Sequence, residues 1–438
     1  MNLISNFKSA KSTIVSFLIA LFPISFIAGN MIININLFLL ILATIFFFRK
    51  EILRFEIQLL DKLVISFFIL ILITGPINDY QIYSNKLFPR DHFVLNYKPF
   101  LFLRFLLLYF ILRFLIMKNL INFKYFFLIS LFCILFVSFD ILFQFFNGKD
   151  IFGYKIIDTK LSGPFGSELI AGSYLQRFSL FALFLFPIFY NSESMNKLQK
   201  YLTPILVIII LIGIILSGNR MPLIMFVFIL LLMSFFQKQL RKFILPFLIS
   251  FILIFFIAFN FSYKVKLNFL RFHTQITKMV SYVINYDEKT EKTSQYFREF
   301  STFYDTWQMN KYIGGGIKNF RFFCHIRPNI EKNAKFICNM HPHNYYLEIL
   351  TETGVIGFII MTIIFFMIIY KTFLKRYFGN QSYANDKLMI PFIYLFIAEI
   401  FPVKSTGSFF TTGNTTYLFL IMTILIGLSY KYSNNNKN

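Results

Sequence analysis

Two of the chain's five histidines, His341 and His343, stand in MHPHNYYLEILTETGVIG, residues 340–357, just before a long apolar run. Asn344 is a favourable helix N-cap. The spacing of His343, Leu347, Leu350 and Gly354 then sets the imidazole on one face of the helix that follows. A helix start presents free N–H groups and the positive end of the peptide dipole, both of which favour phosphate. A histidine there is suited to act as a general base near neutral pH. The competing reading is an interfacial histidine bonded to a backbone carbonyl.

Two arginines are candidates to meet an anion. Arg220, in LSGNRMP, sits in a turn so short that it falls at or just inside a membrane boundary. A central membrane arginine costs about 2.5–3.5 kcal/mol on insertion scales, so its role is functional unless it snorkels to headgroups. Arg298 falls in SQYFREFSTFYDTW, where Tyr296, Phe300, Phe303, Tyr304 and Trp307 predict an amphipathic helix on a membrane surface. Downstream, Gly314, Gly315 and Gly316 precede Lys318. They allow close backbone approach to a ligand, though such a run is more often a turn, and no nucleotide-binding pattern surrounds it. Asp140, in FDILFQFF, lies in the outer half of an apolar span, where a carboxylate needs a partner. Arg104 and Arg113 either supply that partner or snorkel. Cys324, His325, Cys338, His341 and His343 fit no common zinc spacing. No metal site is expected, and a disulfide joining Cys324 to Cys338 is favoured over one.

The elements that position these residues follow from composition. A soluble domain carries about 25% charged residues. This chain of 438 residues has 14%, with 57% hydrophobic and 65 Phe. It is read as all-α and polytopic in a membrane. The net charge of +23 would suit a nucleic-acid binder, but the Lys and Arg fall in short clusters between apolar runs. Basic residues used in that way set membrane topology, and no nucleic-acid partner is expected.

An apolar helix needs about 20 residues to cross the membrane. About 12 spans are predicted, near residues 13–29, 31–48, 62–77, 99–117, 125–145, 169–190, 201–217, 222–236, 243–262, 348–370, 388–404 and 415–430. The first is read as a retained helix rather than a cleaved signal. The basic clusters then put both termini in the cytoplasm. Four regions result: N-terminal spans over 1–124, core spans over 125–262 with an outer loop at 146–168, an extracytoplasmic loop subdomain over 263–347 between the ninth and tenth spans, and C-terminal spans with a short cytoplasmic tail over 348–438. The 263–347 segment is basic, which suits an anionic ligand, lipid headgroups or simply a solvated face.

Four stretches together resemble the O-antigen ligase and polymerase family of integral membrane glycosyltransferases. They are LFQFFNGKDIFG with LSGPFGSELIAGSYL, then LSGNRMPLI, then YFREFSTFYDTWQMNKYIGGGIKNF, and HPHNYYLEILTETGVIG, the last being the most specific. The resemblance implies that His343 matches the family's essential histidine, with Arg220 and Arg298 recognising diphosphate. His341, Asn344, Lys318, Gly314, Gly316 and Asp140 are accessory candidates. It further implies an undecaprenyl-diphosphate-linked glycan as donor and a glycolipid or lipid-linked glycan as acceptor; with no DxD-type carboxylate pair in the outer loops, where Asp287 and Glu288 come nearest, neither metal nor cofactor is expected. The location implied is the bacterial inner membrane, with the site facing the periplasm. A lipid A core acceptor makes the enzyme a ligase; a lipid-linked repeat unit makes it a polymerase. A transporter of anionic lipid-linked solute is the rival of another class, and the absence of an internal repeat argues against it.

Overall fold

The computed structural model describes residues 10–52, 56–84, 94–190, 193–285, 295–327, 338, 341–379, 387–405 and 407–435. The described residues are almost wholly helical and include no strand, only two isolated bridges in the loop after residue 147. A helix satisfies its own backbone, which is what an apolar chain in hydrocarbon requires. In chain order the helices are α1 Ala10–Ala20, α2 Phe22–Ala28, α3 Asn30–Ile52, α4 Leu59–Ser84, α5 Val94–Met117, α6 Phe123–Asn147, α7 Ala171–Phe189, α8 Glu193–Ser217 and α9 Arg220–Phe236. They continue with α10 Lys238–Phe261, α11 Tyr263–Asn285, α12 Gln295–Met309, α13 Phe320–Phe323, α14 Tyr345–Ile369, α15 Lys375–Phe378, α16 Met389–Glu399 and α17 Thr412–Asn435.

Among the described residues, eight helical stretches are long and apolar enough to cross a membrane, with α1 and α2 together forming one and α14 running on through α15 to form another. This makes the chain a multi-pass membrane protein. The four other segments expected to span are also helical. Arg220–Phe236, Met389–Glu399 and Leu202–Ser217, the described apolar part of the 25-residue α8, are shorter apolar helices, while Phe251–Phe261 and Tyr263–Thr274, bent by 105°, make a ninth span if the pair is counted as one. At 1.5 Å per residue, the 17-residue α9 covers about 25 Å of a roughly 30 Å layer. The 263–347 segment contains α11, α12 and α13 rather than open loop.

A break in the helix that follows the histidines fixes where this segment sits. Gly354 interrupts α14 with φ 65° and ψ −172°. Residues 311–316 occupy the break: Val355 N–H donates to Lys311 O at 2.9 Å and Ile356 N–H to Tyr312 O at 3.1 Å, while Gly315 and Gly316 N–H donate to Thr351 and Glu352 carbonyls, both at 2.9 Å. A Cβ on Gly354 would lie 2.2 Å from Tyr312 O, and one on Gly314 2.3 Å from Glu352 C. The close approach made by the glycine run is therefore to the protein's own helix. From α4, Thr74 Oγ1 donates to Ile313 O at 3.2 Å and Asn78 Nδ2 to Gly314 O at 3.0 Å.

Of the two cations that could have paired with Asp140, neither bonds it among the described residues. Arg113 pairs with Asp61, whose Oδ1 also accepts from Tyr109 at 2.6 Å. Arg104 donates to Leu101 O at 2.7 Å and to Thr412 Oγ1 at 3.1 Å. Asp140 instead accepts from Ile151 N–H at 2.8 Å, and Gln144 Oε1 accepts from Gly163 N–H at 2.9 Å. These two side chains of α6 brace the loop behind them, and one backbone N–H rather than a cation bonds Asp140, whose Oδ2 has no hydrogen-bond partner among the described residues.

Ala in place of Gly354 or Gly314 is expected to lower the melting temperature sharply or abolish a monodisperse protein in detergent. Gly153 has φ 92° and nothing within 4 Å of a built Cβ, so Gly153→Ala should cost only about 1–2 kcal/mol. Size-exclusion chromatography with thermal melting checks this, and equal behaviour of the three variants would refute the account.

Candidate active site

Asn344 caps α14 as its sequence position suggests. Its Oδ1 accepts from Tyr346 N–H at 3.0 Å and Leu347 N–H at 3.2 Å. Its Nδ2 donates outward to Pro402 O at 2.6 Å and lies 3.4 Å from Lys404 O, so the cap also ties the helix start to the loop after α16. His343, one residue earlier, is exposed, and its ring meets that of His341 edge-on at 4.7 Å. His341 is partly buried. Burial first, then the neighbouring His343 and Lys318, pushes its pKa down to about 4, so it is neutral at neutral pH.

Lys318 reaches the same place from the glycine run, with a left-handed φ of 64°. Its ammonium donates to Ser408 Oγ and lies 4.0 Å from Glu348 Oε1. Ser408 Oγ donates to that oxygen at 2.5 Å, and Phe409 N–H donates to the other. Glu348 and Glu352 are one helical turn apart, both fully buried. Lys318 acts on the charge of both. His341, His343, Asn344 and Lys318 are thus gathered in one place, whereas Gly314 and Gly316 serve the contact with α14.

Arg220 opens α9. The turn before it forms because Gly218 takes φ 71°, and Asn219 fastens it to the start of α7 by accepting from Gly172 N–H at 3.1 Å and donating to Leu169 O at 3.0 Å. The Arg220 guanidinium lies over the ring of Phe272, on α11, at 5.5 Å. Arg298 lies on α12, and its side chain is outside the described ones, as is residue 340. On α12 the predicted aromatic face is divided. Phe303 is buried and stacks on Phe320 at 4.2 Å, while Phe300 and Tyr304 remain exposed. Beside Phe303 and Phe320, Cys324 and Cys338 form a disulfide with Cα atoms 5.9 Å apart.

A second charged group had no place in the sequence reading. Arg177 of α7 makes a two-point ion pair with Glu399 of α16, at 2.6 and 3.2 Å, and donates to Asn414 Oδ1 at 2.8 Å. Glu399 also accepts from Tyr345 OH at 2.6 Å and from Lys404 Nζ at 2.7 Å. Burial, with Arg177 nearby, pulls the Lys404 ammonium below the ordinary lysine value despite Glu399. Arg177, Lys404 and Asn414 line a cleft of about 530 Å³ whose lining also includes Phe26, Ile27 and Ile33. A signal for the pair existed: Arg177 and Glu399 are opposite charges in separate apolar runs, and charges so placed seek each other.

Residues 205–362 match the family model described as O-antigen ligase. This stretch, a little over a third of the chain, is similar to the O-antigen ligase family. No curated protein matches it. The match supports a kinship with O-antigen ligase and polymerase-type membrane glycosyltransferases, a family that implies lipid-linked glycan substrates at a coarse level. The O-antigen ligase match runs from α8 through Arg220 and the 263–347 segment into α14, so it includes His343. Arg177, Glu399 and Lys404 lie outside it.

Removing the cap by Asn344→Ala is expected to cost about 1 kcal/mol or more of stability. His341 adds a pH dependence of defined sign. Its folded pKa, about 4, is below the ordinary 6.5, so the unfolded chain binds the proton more readily. Its contribution is therefore fully present above the ordinary value and is lost as pH falls toward about 4. Melting wild type and His341→Gln side by side across that window should show the wild type losing more stability on acidification.

Proposed function

We propose that the protein transfers a glycan from an undecaprenyl-diphosphate-type donor to an acceptor hydroxyl at the periplasmic face of the bacterial inner membrane. The observation that carries this reading is the O-antigen ligase match that includes both Arg220 and His343. The exposed position of His343 beside a capped helix start supports it. In the proposed step the acceptor oxygen attacks the anomeric carbon and gives its proton to His343. The bond from that carbon to the diphosphate oxygen breaks, and the diphosphate leaves with the electron pair. A single displacement of this kind inverts the anomeric centre. General-base assistance contributes about 10²–10⁴ in rate.

Arg220 and Arg298 stabilise the leaving diphosphate, for which a guanidinium offers paired donors and a permanent charge. His341, held neutral, leaves its neighbour as the proton acceptor. No step is assigned to a metal or cofactor. Among the described residues, Cys324, His325 and Cys338 form a group of three metal-type donors, but its two sulfurs are bonded to each other. That disulfide also supports the orientation, because disulfides persist on the oxidising side of the membrane. Both termini then face the cytoplasm.

We read the acceptor as a lipid A core sugar, as in a ligase; a polymerase would use another lipid-linked repeat unit. Surface glycan from a deletion strain separates them: loss of all attached long glycan marks a ligase, and single repeats left on the core mark a polymerase. His343→Ala and Arg220→Ala proteins that still insert should lose transfer from a lipid-linked donor by about 100-fold or more, with a chelator leaving the wild-type rate unchanged. Wild-type turnover in both variants overturns the reading.

A further inference from the structure

The cleft beside the histidine-bearing helix has an uneven charge balance. Two cations, Arg177 and Lys404, share one carboxylate, Glu399, and the side chains are 14%, 7% and 1% exposed. The remaining members, Tyr345 and Asn414, are neutral. Glu168 also lines the cleft but is exposed. The buried group therefore carries one positive charge more than it can neutralise, and an uncompensated buried charge is strongly unfavourable. Donors remain to meet a ligand: Arg177 Nη1 has no hydrogen-bond partner among the described residues, and Lys404 Nζ makes its one hydrogen bond to Glu399. Both side chains line a space of about 530 Å³.

The apolar part of the lining indicates what the anion is attached to. Phe26, Ile27 and Ile33 lie on either side of Gly29, where α2 gives way to α3, in two stretches apolar enough to cross a membrane. A ligand in this cleft would have an anionic group on the cations and hydrocarbon against the helices.

We propose that the cleft binds the phosphate group of an amphipathic lipid, with Arg177 and Lys404 as its ligands and Glu399 as the residue that holds both in place. This deepens the function proposed above by naming a second anion site, formed by residues outside the family match. It also has a direct route to the catalytic helix. Glu399 binds Tyr345, the first residue of α14, and the Lys404 carbonyl faces the amide of Asn344, next to His343. Lipid phosphate seated on Lys404 and Arg177 thus bears on the loop that holds the cap.

The test uses the full chain in phosphatidylcholine nanodiscs, with undecaprenyl diphosphate and phosphatidylglycerol as separate probes. Lys404→Gln leaves Arg177 and Glu399 paired and removes the surplus charge, so binding should weaken at least about tenfold, the loss of a charge-assisted contact. Lys404→Arg should retain it. Asn414→Asp neutralises the group without deleting a cation and should also weaken binding, which keeps the test available if Lys404→Gln does not fold. Loss confined to undecaprenyl diphosphate identifies the donor as the source, and loss confined to phosphatidylglycerol identifies a bilayer headgroup; both support a lipid-phosphate site. Unchanged binding in a folded Lys404→Gln or Asn414→Asp protein, or no binding of either probe to wild type, overturns it. Turnover by His343→Ala is scored separately: full turnover there with binding lost in Lys404→Gln sinks the transfer reading and leaves the lipid site standing.

Discussion

A single buried carboxylate, Glu399, joins parts of the chain that are otherwise far apart in sequence. It bonds Arg177 of α7, Tyr345 of α14 and Lys404 of the following loop, and Arg177 carries the link on to Asn414 of α17. Removing one partner of a buried pair typically costs about 3–5 kcal/mol, because the other is left uncompensated. With apolar lipid around most of the helices, hydrophobic burial discriminates weakly between alternative helix packings, and polar contacts of this kind help select one. The pairing of Asp61 with Arg113 and Tyr109 joins α4 to α5 in the same way.

A second constraint acts on the backbone of α14. An unbroken helix would offer no free carbonyl or N–H to residues 311–316. The interruption at Gly354 exposes them, and Gly314, Gly315 and Gly316 approach closely enough to use them. The break and the glycine run are therefore two halves of one contact, and a side chain on either half collides with the backbone of the other. This contact brings Lys318 to Glu348 and Ser408, and hence to the neighbourhood of His341.

What could be read from the sequence was what depends on local signals. The apolar runs, the Asn344 cap and the turn before Arg220 follow from propensity and hydrogen bonding within a few residues. The pairing of distant groups was not local. Asp140 is close in sequence to Arg113, yet Arg113 pairs with Asp61 and the backbone N–H of Ile151 bonds Asp140. The glycine run signalled close approach without saying to what, because its partner is a helix interruption that only the folded chain defines. The aromatic pattern on α12 gave an amphipathic helix, but Phe320 decides that Phe303 faces protein. Arg177 and Glu399 carried a signal of their own, as isolated charges in apolar runs, and an account built on one family signature passes over them.

These constraints meet at the start of α14. The helix is held at its tip by Asn344 on the loop after α16, at its first residue by Tyr345 on Glu399, and at its break by residues 311–316. His343 lies just outside this clamp and is exposed, its ring against that of His341, while the backbone beneath it is fixed. Precision at a reacting group depends on the shell that supports it, and here that shell is made of charged side chains which themselves border a cleft. A ligand can shift such a support only by binding its arrangements unequally. An anion on the remaining donors of Arg177 and Lys404 would share both cations with Glu399, and Glu399 is the group that Tyr345 is bonded to. Occupancy of the cleft and the placement of His343 are consequently coupled through one carboxylate.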